Sequence, residues 1–308
     1  MTKSLTLMDY RTDKLVGIAS RKNEYIEVKF ADEDLNSQVK RWFEKDNKVK
    51  GNTDVVLILE ELKVYDEQDP EQKNIYGKAK IKISSFIKRN ERYYFLDRFD
   101  NIIVSDPQRI SSVPGYLADQ ISNIIAQFIN ISYSSKVSGF VIPENEIENY
   151  NEYLNKNYKA FNNPELKDGV YNSFKSFYNQ EPEADYYVEK NKKGKVVRVK
   201  HKEELIPTNE VFCYVEGGKA YLFTPVGFLE MEKDDKGFLI ASSREELITK
   251  GNSGGMIIGA VAGGVVGALV GAAIDSESNK RVINIGFASR TFCNVYLDSI
   301  TGAYVFSK

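Results

Sequence analysis

The sequence predicts an α+β protein of two domains, each an antiparallel sheet with few helices, with a Gly-zipper helix in the second domain. The chain has 308 residues, which suits two domains, and its 42% hydrophobic and 28% charged residues are typical of a folded protein. Apolar and polar side chains alternate over several short runs, and this period of two indicates half-buried strands. The 19 Tyr and 17 Phe beside one Trp also favour strands.

Residues 1–135 predict the first domain, a sheet covered by two helices. Strands are expected at residues 5–18, 25–30, 55–65, 77–86 and 92–99. Within 77–86, the alternation puts Ala79, Ile81 and Ile83 inward and Lys78, Lys80 and Lys82 outward. The first helix opens at the acidic run 32–34 and carries Leu35, Val39, Trp42 and Phe43 on one face. The second helix covers about 116–131.

Residues 136–165 predict a helical linker, and residues 166–308 a second domain that is mainly antiparallel sheet. The linker is polar, with a weak helical stripe through Ile147, Tyr150 and Leu154. Strands are expected at 186–190, 196–199, 211–216, 220–224, 228–232, 238–241, 282–288, 292–297 and 303–306. Gly217-Gly218 lies between two apolar runs and predicts a hairpin.

The second domain contains an apolar segment, residues 251–274, that carries no charge. Its glycines at a four-residue period, Gly255, Gly259, Gly263, Gly267 and Gly271, would share one face of a helix. Each Gly costs a helix roughly 1 kcal/mol relative to Ala, so such a face needs a compensating contact. Close approach of a second helix is the usual compensation in membranes.

The sequence does not decide between three packing partners for this Gly-zipper helix. It could pack against the sheet of its own domain, touch or enter a membrane, or join two copies of a soluble chain. A single membrane-spanning helix would separate the last strands from their sheet, so partial insertion fits the expected topology better. Neither a phosphate-binding loop nor a dinucleotide-binding pattern is completed here.

Composition argues against several kinds of site. The single histidine, His201, lies in a charged run and is expected to be exposed, which leaves histidine-based catalysis and His-rich metal sites without support. The formal net charge of -2 argues against a nucleic-acid partner. Cys213 and Cys293 are too few for a zinc site. They could form a disulfide if their strands are neighbours and the compartment is oxidising, and two buried free thiols are an equal alternative. No cofactor, metal or catalytic residue is predicted.

Adjacent acidic residues are the remaining catalytic candidates, and we expect them to be solvated. The pairs are Glu60-Glu61, Asp234-Asp235 and Glu245-Glu246. Neighbours on a strand point to opposite faces, so Glu60 and Glu61 should not act together.

Several motifs of residues 166–308 are similar to those of an uncharacterised Bacteroidetes envelope protein family. Its opening pattern L-x-D-G-x-Y corresponds to residues 166–171, with Phe174, Phe177 and Pro182 following at its spacing. A Gly-turn hairpin corresponds to residues 213–221, and the closing Y-x-L-D-x-x-T-G to residues 296–302. The hairpin has Glu216 and Gly217 where the family tends to have Asp and Gly. The resemblance implies an envelope-associated protein and carries no catalytic residue.

Residues 5–133 resemble the auxiliary lipoproteins of ABC-type transport systems. The likeness lies in the D-x-R strand at Asp9-Tyr10-Arg11 and in the Leu-Val-Gly sequence that follows it at residues 15–17. It also lies in the order of the elements, which is a helix, a strand meander and a closing helix.

The sequence therefore predicts a non-catalytic cell-envelope binding or scaffold protein. Its Gly-zipper helix would mediate membrane association or self-association, with a protein partner or a second copy of the chain. The alternatives are a hydrolase with carboxylates in an interdomain cleft and a membrane-damaging effector. No signal peptide is visible, so an envelope location requires that one was removed, and otherwise the protein would be cytoplasmic.

Overall fold

The computed structural model describes residues 2–21, 24–30, 34–48, 51–68, 74–105, 110–135, 137, 140–250, 256–258 and 291–306. In these residues the chain is α+β, with mostly antiparallel sheets and few helices, as predicted. It divides into two compact units between Tyr150 and Asn151. This division falls inside the segment that the sequence assigns to a linker.

The first unit is built on one sheet. Its described elements are β1 (Thr2–Asp9), β2 (Gly17–Arg21), β3 (Glu24–Val28), α1 (Leu35–Asp46), β4 (Thr53–Gln68), β5 (Ile75–Arg89), β6 (Arg92–Val104), α2 (Val113–Ser134) and β7 (Val141–Pro143), followed by a 3₁₀ helix at Glu144–Asn149. The strand order is β3-β2-β4-β5-β6-β7, and β1 also pairs with β4.

The amino-terminal strands differ from the prediction in two ways. The strand expected at 5–18 is interrupted, because the Asp9 carboxylate turns the chain after β1 by accepting the N–H of Arg11 at 3.1 Å and binding its guanidinium. Both β1 and β2 pair with β4 in parallel, within a sheet expected to be antiparallel. Gly17 touches β4 so closely that a Cβ there would lie 2.0 Å from the carbonyl oxygen of Val64.

The two predicted helices of the first unit form. Asp34 caps α1 by accepting the N–H of Ser37, and Leu35 and Phe43 are buried whereas Trp42 is 40% exposed. Helix α2 lies on the sheet over β5, where a Cβ on Gly77 would meet the Val113 side chain. Its buried residues repeat at helical spacing: Leu117, Ile121, Ile124 and Phe128.

The second unit contains a larger sheet and a three-stranded one. Its described elements are α3 (Tyr150–Asn157), α4 (Lys159–Asn162), β8 (Gly169–Tyr171), α5 (Phe174–Tyr178), β9 (Tyr186–Lys190), β10 (Val196–His201), β11 (Glu204–Ile206), β12 (Cys213–Glu216), β13 (Lys219–Thr224), β14 (Gly227–Lys233), β15 (Phe238–Ser242), α6 (Arg244–Leu247), β16 (Ile248–Lys250), β17 (Met256–Ile258), β18 (Cys293–Leu297) and β19 (Tyr304–Phe306). The large sheet runs β19-β18-β15-β14-β13-β12-β8, and the small one β11-β10-β9. Helix α3 begins at the last residue of the first unit.

An aromatic cluster forms the core beside the large sheet. Its members are fully buried and meet mostly edge to face: Tyr171, Phe174, Phe177, Tyr178, Phe212 and Phe238. The residues of the opening motif, Phe174 and Phe177, therefore serve packing.

The predicted Gly-zipper helix falls mostly on residues outside the described ranges. These include Gly255, Gly259, Gly263, Gly267 and Gly271, as well as the strand expected at 282–288. Met256–Ile258, inside the expected helix, is instead a strand that pairs with Ile248–Lys250, where β-branched residues favour pairing. In the part of the chain that the structure describes, no helix is long and apolar enough to cross a membrane.

Candidate functional site

A cleft of about 640 Å³ lies in the second unit, beside the β12–β13 hairpin. Its floor is apolar and buried, and consists of Ala220, Met231 and Phe238. Ala220 and Met231 face each other across β13 and β14, and Phe238 is paired with Lys233 across β14 and β15. Residues 163–166 and 168 also line the cleft.

The hairpin beside the cleft is held in place by Asp168. Both residues of its turn have positive φ, 59° at Gly217 and 75° at Gly218, which explains why the sequence has glycine there. The Asp168 carboxylate accepts the N–H of Gly217 at 3.0 Å and that of Gly218 at 3.1 Å. The acid of the opening motif is therefore engaged in fixing the turn.

Lys233 is the cation that lacks a carboxylate partner among the described residues of this cleft. Its ammonium donates to the carbonyl oxygens of Ala160 at 3.0 Å and Phe161 at 2.7 Å, at the end of α4. It also lies 5.8 Å from the ring centroids of both Phe161 and Phe238. Burial lowers the pKa of Lys233, because partial loss of water disfavours the charged ammonium.

The other charged groups of the cleft differ from Lys233. Lys219 forms an ion pair with Glu230 at 2.9 Å, and both side chains are largely exposed. Glu165 is exposed on the rim. The cleft thus offers an apolar floor, a cation bound only to neutral carbonyls, and two acidic residues at its edge.

A second polar cluster is buried in the first unit around Glu60. The Tyr150 hydroxyl donates to the Glu60 carboxylate at 2.6 Å, and the Arg98 guanidinium donates to Tyr150 Oη at 2.6 Å and to Ser84 Oγ at 3.0 Å. Lys82 pairs with Glu60 at 3.2 Å. Arg98 is 2% exposed, so this network surrounds a buried cation.

The pKa of Glu60 reflects that environment. Burial raises it, but the positive charges of Arg98 and Lys82 and the hydrogen bond from Tyr150 outweigh burial, and the pKa of Glu60 is lowered overall. Burial raises the pKa of Tyr150 well above its ordinary value. Glu60 is therefore a fixed anion and Tyr150 a neutral donor, an arrangement suited to holding Arg98 in place.

The expected alternation of Glu60 and Glu61 is wrong, because β4 has a bulge at Glu60. Leu59 pairs with Ile83 and Glu61 with Lys82, so Glu60 has no opposite residue on β5. Glu60 binds Lys82 and Glu61 binds Lys80, which share one face of β5. Lys78 on that face was expected to be solvated but is buried and paired with Glu67 at 2.9 Å.

Asp234 and Glu246 of the other acidic pairs, and Asp298 of the closing motif, form local hydrogen bonds. Asp234 accepts the Tyr296 hydroxyl and the N–H groups of Lys236 and Gly237, which closes the turn between β14 and β15. Glu246 accepts the Ser242 hydroxyl at 2.9 Å. In the closing motif, Asp298 accepts the N–H groups of Ile300 and Thr301 and shapes a turn.

The structure places the two cysteines on separate strands and the histidine in a half-buried position. Cys213 and Cys293 lie on β12 and β18, with three strands between them in the sheet order, so they are too far apart for the disulfide that the sequence allowed. His201 is half-buried and stacks on Tyr186, opposite it in the sheet, at 4.7 Å between ring centroids. Among the described residues no group of three His, Cys, Asp or Glu side chains is placed to bind a metal.

Sequence reasoning missed both Lys233 and Arg98. Each is an ordinary basic residue in a strand, and the burial of Arg98 and the carbonyl contacts of Lys233 depend on elements distant in sequence. No family model matches the chain, and neither a curated protein nor a solved structure matches it.

Proposed function

We propose that the protein is a non-catalytic binding or scaffold protein of the cell envelope, in which residues 251–274 mediate membrane association or self-association. The observation that carries the binding role is the cleft of the second unit. It is a concave surface of about 640 Å³ whose polar groups are fixed in position by hydrogen bonds within the unit. Asp168 and Lys219 are already engaged within the protein, which suits recognition better than chemistry.

The shifted carboxyl groups favour binding over acid catalysis. The pKa of four described carboxyl groups is lowered, those of Asp9, Asp34, Glu60 and Asp234. A general acid needs a raised pKa to hold its proton near neutral pH. These four groups are therefore not suited to act as the general acid of the hydrolase alternative.

The membrane or self-association role rests on the composition of residues 251–274 and on the pairing of the two strands, β15 and β18, between which they lie in the chain. The segment lies between β15 and β18, which are hydrogen-bonded neighbours with Ser242 opposite Cys293. It can therefore leave and rejoin the sheet without interrupting it. The envelope location rests on the resemblance of residues 166–308 to the Bacteroidetes envelope family.

The test is liposome flotation together with size-exclusion light scattering. The variant changes Gly259, Gly263 and Gly267 to Leu. We expect the wild type to float with liposomes or to form oligomers, and the variant to do so less, because leucine side chains fill the glycine face.

A matched control changes Ala260, Ala268 and Ala272 to Leu, which adds a similar apolar volume, one carbon less per site, beside the glycine positions. We expect this control to retain the wild-type behaviour. A wild type that stays monomeric and unbound to liposomes, or a control that behaves like the glycine variant, would contradict a role for the glycine spacing.

A further inference from the structure

We infer that the hairpin formed by β9 and β10 binds anionic lipid headgroups at a membrane surface. The inference rests on the proposed membrane association and deepens it, because it names a lipid class and a contact other than residues 251–274. It starts from residues 190–202, which contain seven Lys and Arg residues and no Asp or Glu. The whole chain has a formal net charge of -2, so this positive charge is local to the hairpin.

The unbalanced charge of the hairpin lies at its tip. Lys192, Lys193 and Lys195, the tip lysines, are exposed, and no carboxylate of the residues that the structure describes forms an ion pair with them. The other cations of residues 190–202 have carboxylate partners: Lys190 pairs with Glu216, Arg198 and Lys200 with Glu189, and Lys202 with Asp185. Three ammonium groups are therefore left for an anionic partner.

The turn that presents the tip lysines has a fixed backbone. The Asn191 side chain accepts the N–H of Lys193 at 2.9 Å and that of Lys195 at 3.1 Å. Gly194 has a positive φ of 76°, and a Cβ there would meet no atom within 4 Å. The turn is thus closed by its own hydrogen bonds and open to a partner, so binding would lose little backbone entropy.

The exposed face of the three-stranded sheet adds apolar groups beside a cation. Val199 on β10 packs in the core of the unit, so its neighbour Lys200 points to the opposite face. Tyr187 on β9 and Leu205 on β11 are both paired opposite Lys200, and they are 41% and 65% exposed. Tyrosine and leucine beside lysine are typical of surfaces that lie in the headgroup region of a bilayer.

These side chains fit a lipid surface better than a nucleic acid. Nucleic-acid sites favour arginine, whose planar guanidinium binds phosphates and base edges through paired hydrogen bonds. The cations at the tip are all lysines, which act as point charges and suit the diffuse negative potential of anionic lipids. The exposed Leu205 has apolar surface that can enter the headgroup region of a bilayer.

Liposome flotation of the full-length protein with two vesicle compositions tests the inference. One composition is phosphatidylcholine alone, and the other contains about 30% phosphatidylglycerol, which gives the surface a negative potential. We expect the anionic vesicles to bind at least about 10-fold more tightly, since each lysine near such a surface strengthens binding roughly 5-fold. Raising NaCl from about 0.1 M to about 1 M should remove this preference, because salt screens exposed charges.

The key variant combines Lys192→Gln, Lys193→Gln and Lys195→Gln. We expect it to bind anionic vesicles at least about 10-fold more weakly than the wild type and to bind phosphatidylcholine vesicles equally. A second variant changes the tip lysines to Arg, which keeps their charge. It should retain the preference for anionic vesicles, so a loss in the Gln variant is assigned to charge and not to a damaged turn.

The matched control combines Lys40→Gln, Lys45→Gln and Lys48→Gln. It removes the same charge from three exposed lysines in and just after α1, in the first unit. This control should prefer anionic vesicles as the wild type does, because charge away from the hairpin does not contact the lipid surface.

Equal affinity for the two vesicle compositions, unchanged binding of the Gln variant, or an equal loss in the α1 control would overturn the inference. Tighter binding to a single-stranded DNA oligonucleotide than to anionic vesicles would also overturn it and would assign the hairpin to nucleic acid. Flotation with phosphatidylcholine vesicles and self-association report on residues 251–274. A failure of the proposed function would appear in those measurements, and not in the difference between the two vesicle compositions.

Discussion

Glu60 stands at a bulge of β4, where its carboxylate lies among Arg98, Tyr150 and Lys82. Without the bulge, the register of Ile58 with Ser84 would continue with Glu60 opposite Lys82, and Glu61 would point to the other face. The extra residue instead puts two consecutive acids on one face. One of them balances the buried guanidinium, and the other forms an ion pair nearer the solvent.

We predict that Glu60→Gln destabilises the first unit by about 3–5 kcal/mol, because it removes a carboxylate whose charge acts on the buried guanidinium of Arg98. Glu61→Gln is the control on the next residue. Its ion pair with Lys80 is about a third exposed on both sides, so the loss should be about 0–1 kcal/mol. Chemical denaturation of both variants measures the difference, and equal losses would contradict the structural role of Glu60.

The same variant has an expected pH dependence. The folded pKa of Glu60 is lowered, so its contribution to stability is fully present above the unfolded pKa of about 4.3 and is lost as pH falls through the folded pKa. The stability difference between wild type and Glu60→Gln should therefore be constant near neutral pH and shrink in acid. A stability difference that grows as the pH falls would contradict the lowered pKa of Glu60.

At the level of residues, local pattern predicted some features of the first unit and missed others. Ala79, Ile81 and Ile83 are buried as their alternation indicates. The burial of Lys78 and the cluster around Arg98 were not predictable, because each depends on a partner from another strand or helix. The alternation of polar and apolar residues predicts which face of a strand a residue occupies. It carries no information on which other strand or helix covers that face.

At the scale of elements, the β12–β13 hairpin is the one whose turn the sequence predicted best. Gly217 needs its left-handed φ of 59°, yet a Cβ there would meet no atom within 4 Å. The constraint is therefore one of backbone conformation alone. By contrast, the split of 5–18 into β1 and β2 was missed, because Asp9 and Arg11 form a turn without glycine or proline.

Two substitutions at Gly217 separate the effect of backbone conformation on stability from the effect of steric contact with neighbouring atoms. Gly217→Asn should change stability by less than about 0.5 kcal/mol, since asparagine tolerates this conformation in tight hairpin turns. Gly217→Val should cost about 1–2 kcal/mol, because a β-branched residue is strained there. Denaturation curves compare the two variants, and similar losses would contradict a purely conformational role.

At the scale of the whole molecule, each unit has its own sheet and its own buried core. The α+β class and most antiparallel pairings followed from the sequence pattern. The parallel pairing of β1 with β4 did not, because β2, β3 and α1 intervene along the chain and local periodicity carries no information on such a pairing. The cleft was missed for the same reason, since β13 to β15 and residues 163–168 meet only in the folded unit.

Hydrogen exchange should detect the two units separately. Glu60→Gln is expected to reduce amide protection first in β4–β6, whereas Phe177→Ala, which removes a fully buried ring, should reduce it first in β12–β15. Mass spectrometry of the exchanged peptides measures both. Uniform loss of protection along the whole chain in either variant would mean that the units unfold together.

The pairing of β15 with β18 has a consequence for any contact with a bilayer. Because Ser242 and Cys293 face each other in one sheet, the chain between them must return to the side from which it left, and its number of complete crossings must be even. Two helical crossings need roughly 40 apolar residues, but the uncharged stretch from Gly251 to Ile274 holds 24. Residues 251–274 are therefore too short for two helical crossings of the membrane, and the sheet does not allow a single crossing. Insertion of this segment would then reach only the nearer leaflet.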